Sequence, residues 1–231
     1  MEKLKYIIKR ITFLYKILKI IFHILRYLNI IKPKYSTSNR IVFGDKETGD
    51  FLKKKILNSN FFLEFGSGNT TIFAKENNKF HYSIESDRSF YLSMNKKNVN
   101  IFFYSLGLVE FYSYPLFKKK FFQKFYQNKA KKYGSKIFEK LNKDKKFPDL
   151  ILVDGRYRVF CMLNIFKFLK ENNLFNTCVI LDDYKFRDYY HIVREYFEIK
   201  TVGRLGICFI KDIKINIDFK KVFENYSNDP R

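Results

Sequence analysis

Carboxylates gather at the ends of apolar runs in this chain. Glu64 enters the turn Phe65-Gly66-Ser67-Gly68-Asn69-Thr70, Glu85 ends the run Phe80–Glu85, Asp154 closes Asp149–Val153, and Asp182 with Asp183 follow Cys178–Leu181. Glycines between a strand and a helix let the backbone approach a ligand, with the helix amides pointing inward. An acid about 20 residues after such a turn is placed to accept hydrogen bonds from ribose hydroxyls. Asp154, Asp182 and Asp183 would meet at one sheet edge, where like charges are costly unless a cation or a shared proton relieves them. Two chemistries suit that edge. One carboxylate can act as general base toward an acceptor hydroxyl, or all three can hold a divalent cation such as Mg2+ that orients and acidifies it. Turn formation and helix capping would explain Asp154-Gly155 and Asp182-Asp183 without any chemistry. Arg156 and Arg158 follow Asp154 directly, either to neutralise the acids or to bind an anionic group of an acceptor. Tyr184, Lys185 and Arg187 extend the second acidic turn and are expected to face the same pocket.

Positioning these groups requires strands that end together. Short apolar runs alternate with helical patterns from Asn60 onward, as in a parallel sheet with crossover helices. The expected strands are Phe61–Phe65, Phe80–Glu85, Asn100–Tyr104, Asp149–Val153, Cys178–Leu181, Glu198–Val202 and Ile207–Lys211; the expected helices are Thr70–Asn77, Arg88–Lys97, Val159–Glu171 and Tyr189–Tyr196. No helix separates the last two strands, so Gly203–Gly206 should close an antiparallel hairpin. The fold class is therefore α/β and Rossmann-like, with a mostly parallel seven-stranded sheet. The stretch 107–147, rich in Lys, Phe and Tyr, is long for a connection. It is expected to add one or two helices above the ligand-binding edge, where its charges suit an acidic or sugar-bearing acceptor.

Two cofactor classes share the Gly-x-Gly turn and the following acid. A dinucleotide site needs a further glycine where this chain has Thr71, and Glu64 would place negative charge near a diphosphate. The cationic, phosphate-free S-adenosylmethionine tolerates both, so electrostatics favours the methyl donor over NAD. At these residues the sequence resembles class I methyltransferases: EFGSGNTT (Glu64–Thr71) is similar to their glycine motif, and SIESD (Ser83–Asp87) to their second-strand acid. PDLILVDGRYRVFCML and VILDDY are similar to bacterial methyltransferase-like proteins associated with surface-polysaccharide synthesis, over about Phe61 to Ile210. The resemblance implies that Glu64, Gly66, Ser67 and Gly68 line the methionine part of the cofactor and that Glu85 holds its ribose. It also implies O-methylation of a glycan or glycolipid, with an Asp154, Asp182 and Asp183 arrangement similar to the metal site of catechol-type O-methyltransferases. Thr70 departs from the pattern, since many members carry a third glycine there. That departure keeps open a catalytically inactive scaffold with the same fold.

The formal charge of +22 raises nucleic acid as a partner. Lys, Asn, Ile, Phe and Tyr are used heavily along the whole chain, however, as a compositional bias produces, although about a third of the basic excess is concentrated at the N-terminus and near the middle of the chain. The Asp182-Asp183-Tyr184 turn also lacks the Asn/Asp-Pro-Pro-Tyr element that holds a target amino group in nucleic-acid methyltransferases. Cys161, Cys178 and Cys208 sit singly in apolar runs, as reduced core residues of a cytoplasmic protein do. Met1–Ile31 contains no Gly or Pro and reads as one helix. Lys5, Lys9, Thr12, Lys16, Lys19, His23 and Arg26 alternate in steps of four and three, forming one polar stripe on an otherwise apolar cylinder. These charges interrupt any transmembrane span. The expectation is a helix at residues 1–31 lying on the anionic inner membrane face or packed on a protein surface. A linker at 32–40 and the domain proper at 41–231 then follow.

Overall fold

All five residues of Phe61–Phe65 are buried, as a strand covered on both faces requires. In the computed structural model, which describes residues 2–32, 45–110, 114–117, 120–215 and 217–231, this segment is β1 of one sheet. The others are β2 (Phe80–Glu85), β3 (Ile101–Phe103), β4 (Leu150–Val153), β5 (Cys178–Leu181), β6 (Phe197–Val202) and β7 (Leu205–Ile210). Their order is β3-β2-β1-β4-β5-β7-β6. β1 to β5 run parallel, whereas β7 is antiparallel to both β5 and β6. The Rossmann-like α/β architecture with its terminal hairpin is as expected. Helices α1 (Glu2–Tyr27), α2 (Lys46–Asn58), α3 (Asn69–Glu76), α4 (Arg88–Asn95), α5 (Lys120–Asp144), α6 (Arg158–Glu171) and α7 (Ile217–Tyr226) surround it.

Strand alternation sorts the core into two layers. Leu63, Phe65, Ile151, Val153 and Leu181 pack with Tyr133, Ile137 and Leu141 of α5 and with α6. Phe62, Leu152 and Ile180 pack on the other face with Leu52 and Ile56 of α2 and Ala74 of α3. α6 is buried around nearly its whole circumference, which explains why its sequence shows no polar stripe.

Three expectations change. Most of the stretch 107–147 is α5, the ordinary crossover between β3 and β4, with Tyr133, Ile137 and Leu141 in the core. Its lysines lie on the outer face of that helix, not on a separate lid; Lys118 and Lys119 fall outside the described residues. The segment expected as helix Tyr189–Tyr196 is a 3-10 stretch, Asp188–Glu195, whose buried Tyr190 and Val193 are spaced for three residues per turn. α2 was not anticipated, although Asp45 caps it by accepting from the Thr48 amide at 2.7 Å. Residues 33–44, which hold most of the expected linker, lie outside the described residues.

The polar stripe of α1 also has an unexpected destination. Arg26 is 2% exposed, pairs with Asp87, and donates to the carbonyls of Val109 and Glu110 at 3.1 Å each. His23 is buried, and Lys19 reaches Glu110 at 2.9 Å. Ser89 donates to the Arg26 carbonyl at 2.6 Å, and Arg88 to that of Tyr27. The inner part of the charged edge, from Lys19 to Arg26, therefore docks on the domain, because a buried carboxylate offers Arg26 a charge-assisted partner.

Candidate functional site

The parallel register aligns the strand ends. Phe65 pairs with Ile84 on one side and with Val153 on the other, and Val153 with Leu181. The residues that follow, Gly66, Glu85, Asp154 and Asp182, thus share one edge. The chain returns from β3 to lay β4 beside β1, so this edge holds the topological switch point, where open α/β sheets bind ligands.

Two backbones meet there. A Cβ on Gly66, whose φ is +96°, would lie 2.7 Å from the Gly155 nitrogen. One on Gly155 would collide with the Tyr133 hydroxyl. Both glycines are needed for contact between turns. Gly68 differs, since a Cβ there would meet nothing within 4 Å. Its backbone faces open space at the start of α3, which a ligand can occupy. Gly66→Ala is expected to lower stability by about 2 kcal/mol or more, from strain and backbone overlap together. Urea unfolding against Gly68→Ala, expected to be mild, checks this.

Glu64 lies below the turn, fully buried. Its carboxylate accepts from Thr70 and Ser83 at 2.5 Å each and from Thr71. Thr70, which stands where a third glycine was expected, thus serves to satisfy this acid. Burial pushes Glu64 up to about 7, against the lowering effect of the three hydroxyls. Glu85 accepts from the amides of Ser86 and Asp87 through Oε1 at 2.7 and 2.8 Å, and from Ser67 Oγ through Oε2 at 2.7 Å. Burial again raises it to about 7. A carboxyl whose pKa is raised in the folded state binds more protons there than in the unfolded chain. Its stabilising contribution is full below about 4.5 and is lost as pH rises through about 7. Glu64 alone is expected to impose a decline of about 3 kcal/mol across that window. Denaturation midpoints from pH 5 to 8 should fall, and Glu64→Gln should flatten the slope.

The second acidic group is closed by arginines. Arg158, 5% exposed, donates to Asp154 at 2.7 Å, to Asp183 at 3.2 Å, and to the carbonyls of Asp182 and Gly155 at 2.7 and 3.0 Å. Arg204 holds Asp182 in bidentate fashion at 2.7 and 2.9 Å, and Arg187 reaches Asp183 at 2.6 Å. Burial, then the neighbouring Asp154, pushes Asp182 above the usual carboxylate range. Asp182 is nearly sealed, whereas the Asp154 side chain remains 34% exposed. Tyr157 and Asp183 both adopt left-handed backbone, at φ 54° and 58°. For a residue as bulky as Tyr157 that is uncommon and is held by its surroundings. The Tyr157 and Arg158 amides donate to the carbonyls of Pro230 and Arg231.

These facts bear on three expectations. Among the described residues, no group of three or more His, Cys, Asp and Glu is arranged to hold a metal. The charge of Asp154, Asp182 and Asp183 is met by guanidinium groups, so the Mg2+ expected there has no fitting site. Of the two roles open to Arg158, the ion pair with the acids is the one it makes. Tyr184 is buried against Gly206 with its hydroxyl held by Arg194, so it does not face the pocket. The Arg156 guanidinium lies 4.1 Å from the centre of the Tyr114 ring. Arg204 was missed, yet its signal was present. An antiparallel hairpin added to β5 brings Gly203–Gly206 to the acidic edge, as the pairing of Leu181 with Gly206 now shows.

Tyr157, three residues beyond Asp154, lines a cavity of about 560 Å3 together with Tyr114, Tyr126, Gln123, Gln127 and Arg231. A solved structure, that of a methyltransferase-like protein from Silicibacter pomeroyi DSS-3, superposes with a TM-score of 0.68 over 84% of this chain and 100% of its own, at 23% identity. The fold is methyltransferase-like. No family model matches the chain, nor does any curated protein. The methyltransferase-like fold thus carries a glycine turn, two buried glutamates and an arginine-bound aspartate cluster along one edge.

Proposed function

We propose that the protein is an S-adenosylmethionine-dependent methyltransferase acting on a hydroxyl oxygen of a glycan or glycolipid. The observation that carries this reading is the open space over Gly68 beside Glu85, at the switch point of a methyltransferase-like fold. The residues present fit the cofactor: a bare backbone and the first turn of α3 face that space, and Glu85 is an acid suited to ribose hydroxyls. The bound cofactor supplies an electrophilic methyl group. Asp154, the most exposed of the three acids, takes the proton of the acceptor hydroxyl. Asp182 and Asp183 position it indirectly, by fixing Arg158, Arg204 and Arg187. The cavity lined by tyrosine rings and glutamine amides suits a hydroxylated ring, which can stack on the former and hydrogen-bond to the latter.

The test uses the full chain, because Arg26 of α1 braces Asp87 two residues beyond Glu85. Calorimetric titration should show binding of S-adenosylmethionine and S-adenosylhomocysteine and none of NAD. Transfer of labelled methyl to cell-surface glycan fractions should continue in the presence of EDTA, since arginines already neutralise the aspartates. A folded chain that binds neither methyl-donor species ends the enzyme reading. Loss of transfer on metal removal would contradict the arginine-bound arrangement.

A further inference from the structure

The two ends of α1 differ in what they touch. From Lys19 to Tyr27 the helix is tied to the domain through Lys19, Arg26 and the Arg26 and Tyr27 carbonyls. From Ile11 to Leu18 every residue is exposed, with Phe13 at 65% and Leu14, Tyr15 and Leu18 all above half. Leaving so many large apolar side chains in water is unfavourable, and a contiguous set of them marks an interaction surface. A second element adds to it. Arg26 holds the carbonyls of Val109 and Glu110, and the same segment meets α5, where the Phe125 ring lies 3.0 Å from the position of a Cβ on Gly107. On that part of α5 Phe121 is 87% exposed and Phe125 is 48% exposed, with Lys129 over the Phe125 ring.

We propose that the outer half of α1, together with the exposed phenylalanines at the start of α5, seats the domain on an anionic lipid surface. Charge decides between occupants. The sequence of that half carries Lys3, Lys5, Lys9, Arg10 and Lys16 against the single acid Glu2. A second copy would bring the same net positive charge to the contact, and like charges repel. An anionic bilayer accepts both the apolar side chains and the cations, each basic residue near it raising partition roughly fivefold. Among the described residues no helix is long and apolar enough to cross a membrane, so the helix lies along the surface. The inner half keeps its own charged edge on the domain, so lipid binding leaves the docking contacts in place.

The inference is independent of the methyl-transfer reading, and its test reads lipid partition alone. The full chain is sedimented with vesicles of phosphatidylcholine containing about 30% phosphatidylglycerol, and with phosphatidylcholine alone. Binding to the anionic vesicles is expected, weaker by tenfold or more on neutral vesicles or in about 0.5 M salt. The double variant Leu14→Ser/Leu18→Ser removes two apolar groups that are more than half exposed. It should lose at least tenfold in partition while keeping the circular dichroism of the parent. Recovery of the parent protein in the supernatant with anionic vesicles overturns the proposal, as does equal binding to both vesicle types. So does a parent dimer, absent from vesicles and dissociated by the double variant, which would give the face to a second copy.

Discussion

Glu85→Gln is expected to weaken S-adenosylmethionine binding at least a hundredfold while leaving the unfolding midpoint within a few degrees. The glutamine carbonyl can keep the Ser86 and Asp87 amides that Oε1 accepts, so the end of β2 retains its shape. The other oxygen, now bonded to Ser67, becomes an amide nitrogen that cannot accept from ribose hydroxyls. Hydrogen bonds to a charged acceptor contribute about 1.5–3 kcal/mol each, and the proposed ribose contact uses two. Burial holds Glu85 at about 7, so the accepting carboxylate is progressively lost below that pH. Affinity in the parent protein should therefore fall by up to tenfold per pH unit below about 7, and the variant should show no such dependence. Titration calorimetry at pH 6 and 8 reads both effects. Parental affinity in the variant would place the ribose elsewhere.

Arg158→Met is expected to destabilise the protein by about 3–5 kcal/mol, the cost of stripping a buried cation from its acids. The methionine fills much of the same space beside Tyr190, so the loss reports charge more than volume. What remains is Asp182, nearly sealed and held by Arg204, with Asp154 beside it and no guanidinium between them. Protonation relieves that repulsion. The stability gap between variant and parent should narrow as pH falls from 8 to 5, because the uncompensated acids take up protons more readily in the folded variant. Guanidinium unfolding at the two pH values measures the gap, and a gap that stays constant would assign the loss to packing. Arg204 supplies a control. Its partner Asp182 is buried but retains Arg158 nearby at 3.9 Å, so Arg204→Met should cost less.

The Arg26 and Asp87 pair links the two regions of the molecule discussed above. Asp87 is pushed up by burial and held down by Arg26, and it caps α4 by accepting from the amides of Ser89 and Phe90. An element that reads as an appendage in the sequence is thus a buttress of the turn that carries Glu85. The outer half of the same helix is the proposed lipid contact.

What was legible in the sequence follows from local chemistry. Buried parallel strands read as short apolar runs because both faces are covered, and that located β1, β2, β4 and β5 to the residue or within one. A glycine at the strand-to-helix turn and an acid at a strand end were readable because few other residue types suit those places; Gly66 and Glu85 are examples. The hairpin was readable from a missing helix. Partnership was not readable. Whether Asp154, Asp182 and Asp183 meet a metal or a cation of the chain depends on which arginines arrive from distant segments. Arg204 comes from the hairpin and Arg158 from the first turn of α6. Nor could periodicity say which edge of α1 turns inward. An amphipathic pattern fixes that two faces differ, but the sign of their docking is decided by a buried carboxylate, Asp87, that gives Arg26 a stronger partner than water or lipid would.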